Sequence, residues 1–292
     1  MPDASIRAAQ TADLPAITAV MSVCQPYLIV TPESLAHSGG DAPPERFVSE
    51  VDGEVAGFAG IGPSHWGDGD SHAMQLVVLP AHRGKGIGTA LMRRVEERFA
   101  ASGGTRLVCG ATGEDGLAFA RERGFTVDRV NVVSRLDLTV PLAEPEVPEG
   151  IRLARIAELT DLRPLYDTAM SAMRDIPGSL SRTTFTYERW ERQNRTDPRD
   201  DRSLGTVARS GGEVAAFVQV QRSGERIHTN FTGTHPGHRG RGLATLVKRS
   251  ALRAAADAGA TAAYTVNDAE NAPMLAVNTR LGHLPDIRRY SL

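Results

Sequence analysis

One glycine-rich basic segment occurs twice in this chain, and that repetition limits the possible fold more than any other feature. Residues 78–88 read VLPAHRGKGIG, and residues 234–244 read THPGHRGRGLA. Proline, histidine, arginine and two glycines recur with one offset, and Pro80 and Pro236 are 156 residues apart. Each copy follows a short apolar segment and opens a helical pattern, an arrangement in which backbone N–H groups bind an anion. The sequence therefore predicts a tandem repeat of one ligand-binding unit.

Bulk composition agrees with two ordinary globular domains and excludes several classes of partner. The chain has 292 residues, of which 41% are hydrophobic and 23% charged, where domains commonly have about 150 residues. A net charge of −2 predicts no nucleic acid or acidic membrane as partner. Two cysteines far apart in sequence predict neither a disulfide framework nor a metal cluster. With no leader pattern and no long apolar run, we expect a cytoplasmic protein.

A stretch rich in proline and glutamate, residues 140–150, divides the chain into two halves. Such a composition disfavours both helix and central strand, so we expect an extended linker between an N-terminal domain at 1–139 and a C-terminal domain at 151–292. Both halves show the same order: an opening strand, a helix, a hairpin, the repeated segment with its helix, a strand and a last helix. This alternation predicts an α/β fold with a mixed sheet in each half.

Local signals place the first elements of each half. Opening strands are predicted at 5–8 and 151–155. Thr/Asp caps, from Thr11 and Asp13 in the first half and Thr160 and Asp161 in the second, are predicted to begin the helices that follow. Alternating apolar residues around Asp52-Gly53 predict a hairpin in the first half, and Gly211-Gly212 takes the same place in the second half.

We call residues 83–89 the first cradle and residues 239–245 the second cradle. Neither has the Gly-Lys-Ser/Thr ending of a nucleotide-binding P-loop, and neither fits the dinucleotide fingerprint. Clustered Cys and His for zinc are absent from the sequence. Arg83 and Arg239 are predicted either to contact the anion or to brace the turn.

The residues of the cradles resemble motif A of the GNAT superfamily of N-acetyltransferases. The resemblance rests on Val78-x-Pro80-x-x-Arg83-Gly84-x-Gly86-x-Gly88 and on Thr234-x-Pro236-x-x-Arg239-Gly240-x-Gly242-x-Ala244. The stretch 267–282 is similar to motif B of the same family. The resemblance implies two tandem GNAT-like domains, each a mixed, mostly antiparallel sheet flanked by helices. It also implies direct transfer of an acetyl group from acetyl-CoA to the primary amine of a small molecule or peptide, without a covalent enzyme intermediate.

The resemblance also implies which residues bind acetyl-CoA. In the second copy they are Thr234, Arg239, Gly240, Arg241, Gly242, Leu243, Ala244, Thr245 and Asn271; in the first they are Val78, Arg83, Gly84, Lys85, Gly86, Ile87, Gly88 and Thr89. Asn271 matches the residue that contacts the pantetheine arm in the family. No metal is expected, and the sequence carries no argument about the oligomeric state.

The two copies are unequal beyond the cradles. Where the family often has a tyrosine that protonates the leaving thiolate, this chain has Ala120 in the first half and Asn278 in the second. Gly113 stands in the first half where motif B has its asparagine. We therefore expect the C-terminal half to be the catalyst, with Asn278 in its site. Two alternatives stay open: both halves are active, or the protein binds acyl-CoA without turnover.

A candidate base appears at one matched position. His72 and His228 each lie eleven residues before the cradle arginine and six before Val78 or Thr234. An even separation predicts that each histidine shares a strand face with that residue, and a neutral imidazole accepts an amine proton. The alternative is that both histidines cap a surface hairpin.

Residues 170–204 are expected to cover the acceptor, because the resemblance places the acceptor site of the family there. The region contains the aromatic residues Phe185, Tyr187 and Trp190 together with several carboxylates, which suit an amine. The alternative is an amphipathic helix whose aromatic residues pack in the core.

Overall fold

Strands and helices alternate along both halves of the chain in a computed structural model that describes residues 5–37, 43–64, 70–174 and 185–292. The chain divides into two units. Unit 1 comprises residues 1–129 with 289–292, and unit 2 comprises residues 130–288. No helix among the described residues is both long enough and apolar enough to cross a membrane.

Unit 1 contains a five-stranded mixed sheet with helices on both faces. Its elements are β1 (Ser5–Ala8), α1 (Leu14–Cys24), α2 (Pro32–Ala36), β2 (Glu45–Val51), β3 (Glu54–Pro63), β4 (Ser71–Val78), α3 (Ile87–Ser102), β5 (Arg106–Val108), β6 (Gly110–Thr112) and α4 (Gly113–Arg121). The strand order is β1-β2-β3-β4-β5. Only the β4–β5 pair is parallel.

Unit 2 repeats this plan with a larger sheet. Its elements are β7 (Arg129–Asp137), β8 (Ile151–Arg155), α5 (Arg163–Met173), α6 (Tyr187–Thr196), β9 (Thr206–Ser210), β10 (Glu213–Ser223), β11 (Arg226–Thr234), α7 (Leu243–Asp257), β12 (Ala262–Asp268), α8 (Ala272–Arg280) and β13 (Leu284–Ser291). Within this unit the strand order is β13-β7-β12-β11-β10-β9-β8. The β11–β12 pair is parallel.

The last strand of each sequence half does not stay with its own half. Strand β7 pairs antiparallel with β12 over residues 131–137 and 262–268 in unit 2. In unit 1, the chain's final residues 289–291 pair with β6. The division at 129 and 288 therefore differs from the predicted boundaries at 139 and 151, because strand pairing assigns β7 to unit 2. Residues 140–150 contain no helix or strand.

Two apolar cores sandwich the sheet of unit 2, and they define its two faces. On the α7 face, Val218, Val220 and Ile227 pack against Leu246 and Val247. On the α5/α6 face, Phe217 packs against Leu165 and Trp190. Burial of such side chains stabilises a fold by about 1.5–3 kcal/mol each. On α7, Leu243, Leu246, Val247, Ser250 and Ala251 are buried at helical spacing, which places one face of this helix on the sheet.

Of the predicted Thr/Asp caps, the aspartates and not the threonines adjoin the helix starts. Thr11 lies in a 3₁₀ turn, and the residue at the N-cap of α1 is Asp13, which makes no side-chain capping bond. In the second half the N-cap of α5 is Leu162, while Asp161 Oδ1 accepts the Arg163 N–H at 2.8 Å. At α5 the carboxylate takes the capping role, because an ionised acceptor binds backbone N–H groups more strongly than a hydroxyl. At α1 the Asp13 carboxylate accepts the N–H of the preceding Gln10 at 2.7 Å.

Candidate functional site

The second cradle forms a tight turn that presents bare backbone to solvent. After β11 the chain makes a 3₁₀ turn at Pro236–His238, and Gly240 and Gly242 then adopt φ values of 74° each. This left-handed conformation favours glycine. A Cβ built on either glycine would meet no atom within 4 Å. The space before these peptide groups is therefore open.

The first turn of α7 leaves its N–H groups unpaired. The first helical hydrogen bond at this end runs from Leu246 N–H to Gly242 C=O at 3.1 Å. No acceptor for the N–H groups of residues 240–245 is found in the part of the chain that the structure describes. Free N–H groups and the positive end of a helix dipole together favour an anionic group such as a phosphate.

The first cradle has the same backbone but different side-chain contacts. Gly84 and Gly86 have φ values of 72° and 83°. Arg83 Nε donates to Val78 C=O at 3.1 Å, so this arginine braces the turn, one of the two predicted roles. A Cβ on Gly88 would lie 3.3 Å from the Phe119 ring. This glycine therefore permits helix packing and does not widen the cradle.

A threonine at the end of each cradle separates the two copies further. Arg123 Nη2 donates to Thr89 Oγ1 at 2.9 Å, and the Arg123 guanidinium stacks on Phe119 at 3.6 Å from its centroid. Thr245 Oγ1 is buried, with no hydrogen-bond partner among the described residues. An unpaired buried hydroxyl destabilises a fold, so the second cradle keeps a polar atom for which the protein supplies no partner.

The parallel strands beside each cradle separate. In unit 2, β11 and β12 pair only at residues 226–228 and 262–264. We call the gap between residues 229–234 and 265–268 the second cleft. In unit 1, β4 and β5 pair only at 71–73 and 106–108. Strand edges that separate in this way present unpaired peptide groups, which suit an extended ligand with amide groups of its own.

His228 stands at the closed end of the second cleft, because it is the last β11 residue paired with β12. A β-bulge beyond it changes the alternation of the strand. His228 pairs with Gln221 on the α5/α6 face, and Thr234 pairs with Ala216 of the α7 core. The predicted shared face of His228 and Thr234 is therefore wrong.

The two matched histidines differ in surroundings. The His72 ring packs edge-on against Phe99 at 5.8 Å. Each ring has one buried nitrogen without a partner among the described residues, Nδ1 in His72 and Nε2 in His228, and only His228 is buried as a whole. Burial and the charges of Lys248 and Arg199 lower the pKa of His228 to about 4. The imidazole is therefore neutral at neutral pH and ready to accept a hydrogen bond. It is not at a surface hairpin tip, and its catalytic role stays a prediction.

Asp200 is a chemically relevant residue that the sequence patterns do not reveal. It forms an isolated bridge with Gln221, and Gln221 Nε2 donates to Asp200 Oδ1 at 3.2 Å. Burial and the nearby Asp197 raise the pKa of Asp200 to about 6. Among the described residues, no cation lies within ion-pair distance of it. Its only sequence signal is a place in an acidic loop, which many solvated loops share.

Asn278 is buried inside unit 2, and both ends of its amide make a hydrogen bond. Its Oδ1 accepts from Lys248 Nζ at 2.7 Å, and its Nδ2 donates to Asn267 Oδ1 at 2.6 Å. Lys248 and Asn267 were not among the predicted site residues. The offset of 156 residues would have drawn attention to Lys248, because the first copy has Met92 there. A direct contact of Asn278 with a substrate stays a prediction.

Asn271 forms the N-cap of α8, where its Oδ1 accepts the Met274 N–H at 3.2 Å. Its Nδ2 remains free to donate. The predicted contact with the pantetheine arm is therefore limited to that nitrogen.

Comparison with known proteins identifies the family. The model of the acetyltransferase (GNAT) family matches residues 14–125 and 163–283. The chain belongs to this acetyltransferase family. The predicted tandem arrangement, fold class and N-acetyltransferase activity are confirmed, and acetyl-CoA is the acetyl donor that this family generally uses.

Relatives and solved structures agree with this assignment. The chain is 29% identical to a mycothiol acetyltransferase of Nocardia farcinica over 265 residues, covering 88% of this chain and 84% of that protein. It is 30% identical to a mycothiol acetyltransferase of Thermobispora bispora over 65% of this chain, but spans only 57% of that protein. A tandem GNAT protein from the clavulanic acid biosynthesis pathway shares the fold, with a TM-score of 0.75, 20% identity and coverage of 99% and 98% of the two chains.

The aromatic residues expected near the acceptor of this GNAT protein pack in the core. Trp190 is buried, with Phe185 and Tyr187 packed against the same cluster, and Glu191 pairs with Arg195 at 2.8 Å. The alternative of an amphipathic helix therefore describes α6 at these positions. The expected residues within 175–184 lie outside the described part of the chain.

Three side chains beside the second cradle have donor atoms close enough to suggest a cation: Glu213, His235 and His238. His235 Nδ1 accepts the Gly237 N–H at 3.2 Å, and His238 Nδ1 lies 3.0 Å from Arg241 Nη1, which can only donate. Both rings therefore carry their proton on Nε2, the atom that would have to bind the metal. His238 Nε2–H instead donates to Glu213 Oε2 at 3.3 Å, so this cluster is better described as a chain of hydrogen bonds from Arg241 through His238 to Glu213.

Neither cysteine is suited to covalent catalysis. Burial raises the pKa of Cys109 to about 11. Burial also raises the pKa of Cys24, whose Sγ donates to Val78 C=O at 3.4 Å. Because the thiolate is the reactive form, these surroundings agree with direct transfer.

Proposed function

We propose that the second cradle and second cleft bind acetyl-CoA and that the C-terminal half transfers the acetyl group to the primary amine of a small molecule. The observation that carries the proposal is the alignment of three features of unit 2. An open anion-binding turn precedes α7. The β11 edge at residues 229–234 is unpaired with β12, and His228 lies where the pairing of these two strands ends. The ligand supplies a thioester carbonyl, which an amine attacks; the new C–N bond replaces the C–S bond, the amine loses a proton, and coenzyme A leaves as its thiol.

Residues of the second cradle fit the phosphates of such a ligand. The N–H groups of residues 240–245 provide the donors, and Arg239 and Arg241 add positive charge nearby. The unpartnered Thr245 Oγ1 gives the site one more polar atom. The first cradle has similar N–H groups, but Arg123 already holds its threonine. We therefore assign turnover to the second half and leave the first half a binding or structural role.

The acceptor approaches from the α5/α6 face, where Asp200, Gln221 and His228 form a row across the sheet. His228 Nε2 accepts an N–H of the amine and orients it. With a pKa near 4, His228 is a weak base. Asp200, with a pKa near 6, is better matched to take up the proton through water. Because the relatives are named mycothiol acetyltransferases, a mycothiol-related amine is the first acceptor to test.

Calorimetric titration with coenzyme A, combined with an assay of thiol release, tests the proposal. In Gly242→Asp, a carboxylate stands where the phosphate binds, and Asp tolerates the positive φ better than most residues. We expect binding to the second site and turnover both to be lost. Gly86→Asp makes the same change in the first cradle and should leave turnover within twofold of the wild type.

The matched control is Gly259→Asp, because Gly259 follows the other end of α7 with a φ of 84° and open space around its Cβ position. It carries the same strain and charge away from the cradle, and should retain binding. If Gly242→Asp retains full turnover while Gly86→Asp loses it, the assignment to the C-terminal half is wrong. Binding without acetylation of any amine in a broad panel would favour a non-catalytic acyl-CoA-binding protein.

A further inference from the structure

A lysine is fully buried on α7 behind the second cradle. Lys248 is 1% exposed, and its Nζ has two contacts, to Asn278 Oδ1 at 2.7 Å and to Thr265 Oγ1 at 3.5 Å. It has no ion pair in the described ranges of the chain. Burial of an ammonium without a carboxylate is costly, so its presence calls for an explanation beyond packing.

The first copy shows that this fold does not need the lysine. Met92 takes the matching position on α3, 156 residues earlier, and is buried. Ala120, four residues before Gly124, takes the place of Asn278, four residues before Gly282. Unit 1 therefore packs an apolar pair where unit 2 has a charged and an amide side chain.

The lysine fixes the direction of two amide side chains in series. Lys248 Nζ donates to Asn278 Oδ1, and in its ammonium form it can only donate. This bond therefore turns Asn278 Oδ1 toward Lys248 and Nδ2 away from it. That Nδ2 also can only donate, and it does so to Asn267 Oδ1 at 2.6 Å. Asn267 must therefore keep its oxygen inside and its Nδ2 outside. This outward nitrogen has no partner among the described residues, and Asn267 is partly exposed.

Asn267 borders the second cleft. It lies on β12 three residues beyond Tyr264, where pairing with β11 ends. Its other strand neighbour is Val132 of β7. Asn267 Nδ2 is thus an N–H donor at the edge of the cleft, and the bond from Asn278 fixes its direction. Such a donor suits an acceptor oxygen such as a carbonyl.

We propose that Asn267 Nδ2 binds a carbonyl oxygen of the acyl-CoA in the second cleft and that Lys248 is the positioning residue that orients this amide through Asn278. The inference rests on the proposed function, which places acetyl-CoA in that cleft. Lys248 itself touches no ligand; its role is to leave the Asn267 amide one hydrogen-bonded orientation instead of two.

Calorimetric titration with coenzyme A in the Gly86→Asp background isolates the second site. Asn267→Asp keeps the inward acceptor for Asn278 but has no outward donor, and should raise Kd about tenfold. Lys248→Met introduces the type of residue that unit 1 has at this position. Without the lysine the amides of Asn278 and Asn267 can both turn over, so Kd should rise about fivefold. Because the two residues act in series, the double variant should bind no more weakly than Asn267→Asp alone.

The control for added charge is Thr279→Asp, at an exposed position next to Asn278 in the chain; it should change Kd less than twofold. If the wild type binds coenzyme A and both single variants stay within twofold of it, the inference fails and the proposed function stands. If the losses of binding free energy were additive in the double variant, the two residues would not act in series and the inference would also fail. Absence of binding at the second cradle of the parent protein would remove the proposed function and the inference together.

Discussion

The two units build the same turn and then surround it differently. Gly86 and Gly242 have φ values of 83° and 74°, and both face open space. In the helix that follows each turn, α3 has the buried Met92 and α7 has the buried Lys248 at the matching position. A duplicated motif has therefore kept its backbone in both copies, while the chemistry behind it has changed in one.

The buried polar and charged groups near the two cradles differ between the units. In unit 1 the cradle threonine is satisfied by the bond from Arg123 to Thr89, although His82 Nδ1 beside that cradle is buried without a partner in the described structure. In unit 2, burial lowers the pKa of Lys248 to about 7, and Thr245 Oγ1 and His228 Nε2 lack partners in the described structure. Unsatisfied groups and buried charges concentrate at functional sites. The buried Lys248 and the unpartnered Thr245 hydroxyl therefore support the C-terminal half as the working site.

The largest effect on stability is expected when Met92 in unit 1 is replaced by the lysine that unit 2 has at the matching position. Met92→Lys buries an ammonium in unit 1 without an acceptor such as Asn278, and should destabilise that unit by about 3–5 kcal/mol. Hydrogen exchange of the α3 amides measures this directly. Met92→Leu, which keeps the site apolar, is the control and should cost less than about 1.5 kcal/mol. Unchanged protection in Met92→Lys would show that unit 1 also accommodates the charge.

The reverse exchange should stabilise unit 2 in a pH-dependent way. The folded pKa of Lys248 is about 7, below an unfolded value near 10.4, so the difference corresponds to roughly 5 kcal/mol when both states are protonated. The penalty is therefore complete below pH 7 and disappears as the pH rises toward 10. After the loss of the Asn278 bond is deducted, Lys248→Met should gain about 1–3 kcal/mol at pH 6.

Denaturant unfolding of Lys248→Met, followed by Trp190 fluorescence in a Trp66→Phe background, tests the sign. The stability advantage over the parent should shrink between pH 7 and pH 9. The titratable groups that feel the Lys248 charge are His228 and His283, whose pKa values lie well below this range. An advantage that grows with pH would contradict the assignment of the burial cost to Lys248.

A variant of Asp200 tests whether this carboxylate of unit 2 takes up the proton of the amine. Asp200→Asn retains an acceptor for Gln221 but cannot take up a proton, so kcat should fall about a hundredfold. The wild-type rate should rise with pH through about 6 as Asp200 ionises, and that rise should be absent in the variant. A Glu213→Gln variant, which alters a carboxylate on the β9–β10 turn, is the control for the pH profile. Persistence of the rise in Asp200→Asn would assign the proton to another group.

Much of the architecture was predictable, because periodicity, glycine turns and the duplicated offset all act locally. The exchange of final strands was not, since neither the β7 nor the β13 sequence specifies its partner. The face of His228 was missed for a related reason. One extra residue at the bulge reverses every side chain beyond it, and no composition signal announces the bulge. Lys248 was missed because a lone lysine on a helix is ordinarily solvated.

The matched histidines give the next smaller effect. His228→Ala removes the acceptor at the closed end of the second cleft and should lower turnover at least tenfold while leaving the Kd of coenzyme A unchanged. His72→Ala makes the equivalent change beside Phe99 in unit 1 and should keep turnover within twofold. Equal losses in the two variants would mean that the bulge in β11 has no functional consequence.

The cradle threonines should give the smallest effect, and one that separates binding from stability. Thr89→Val leaves Arg123 Nη2 without its acceptor, although Nη1 keeps its bond to Phe119 C=O, and should destabilise unit 1 by about 1 kcal/mol. Thr245→Val removes a buried hydroxyl that has no partner, so it should leave stability unchanged or slightly improved. If the hydroxyl serves the ligand, the same variant should weaken coenzyme A binding severalfold. Thermal unfolding with and without coenzyme A separates these outcomes, because only a ligand contact reduces the shift in Tm that saturating ligand produces. A Thr245→Val protein that is destabilised when free and binds as tightly as the wild type would show that the hydroxyl serves the fold, and the two cradles would then be alike in this respect.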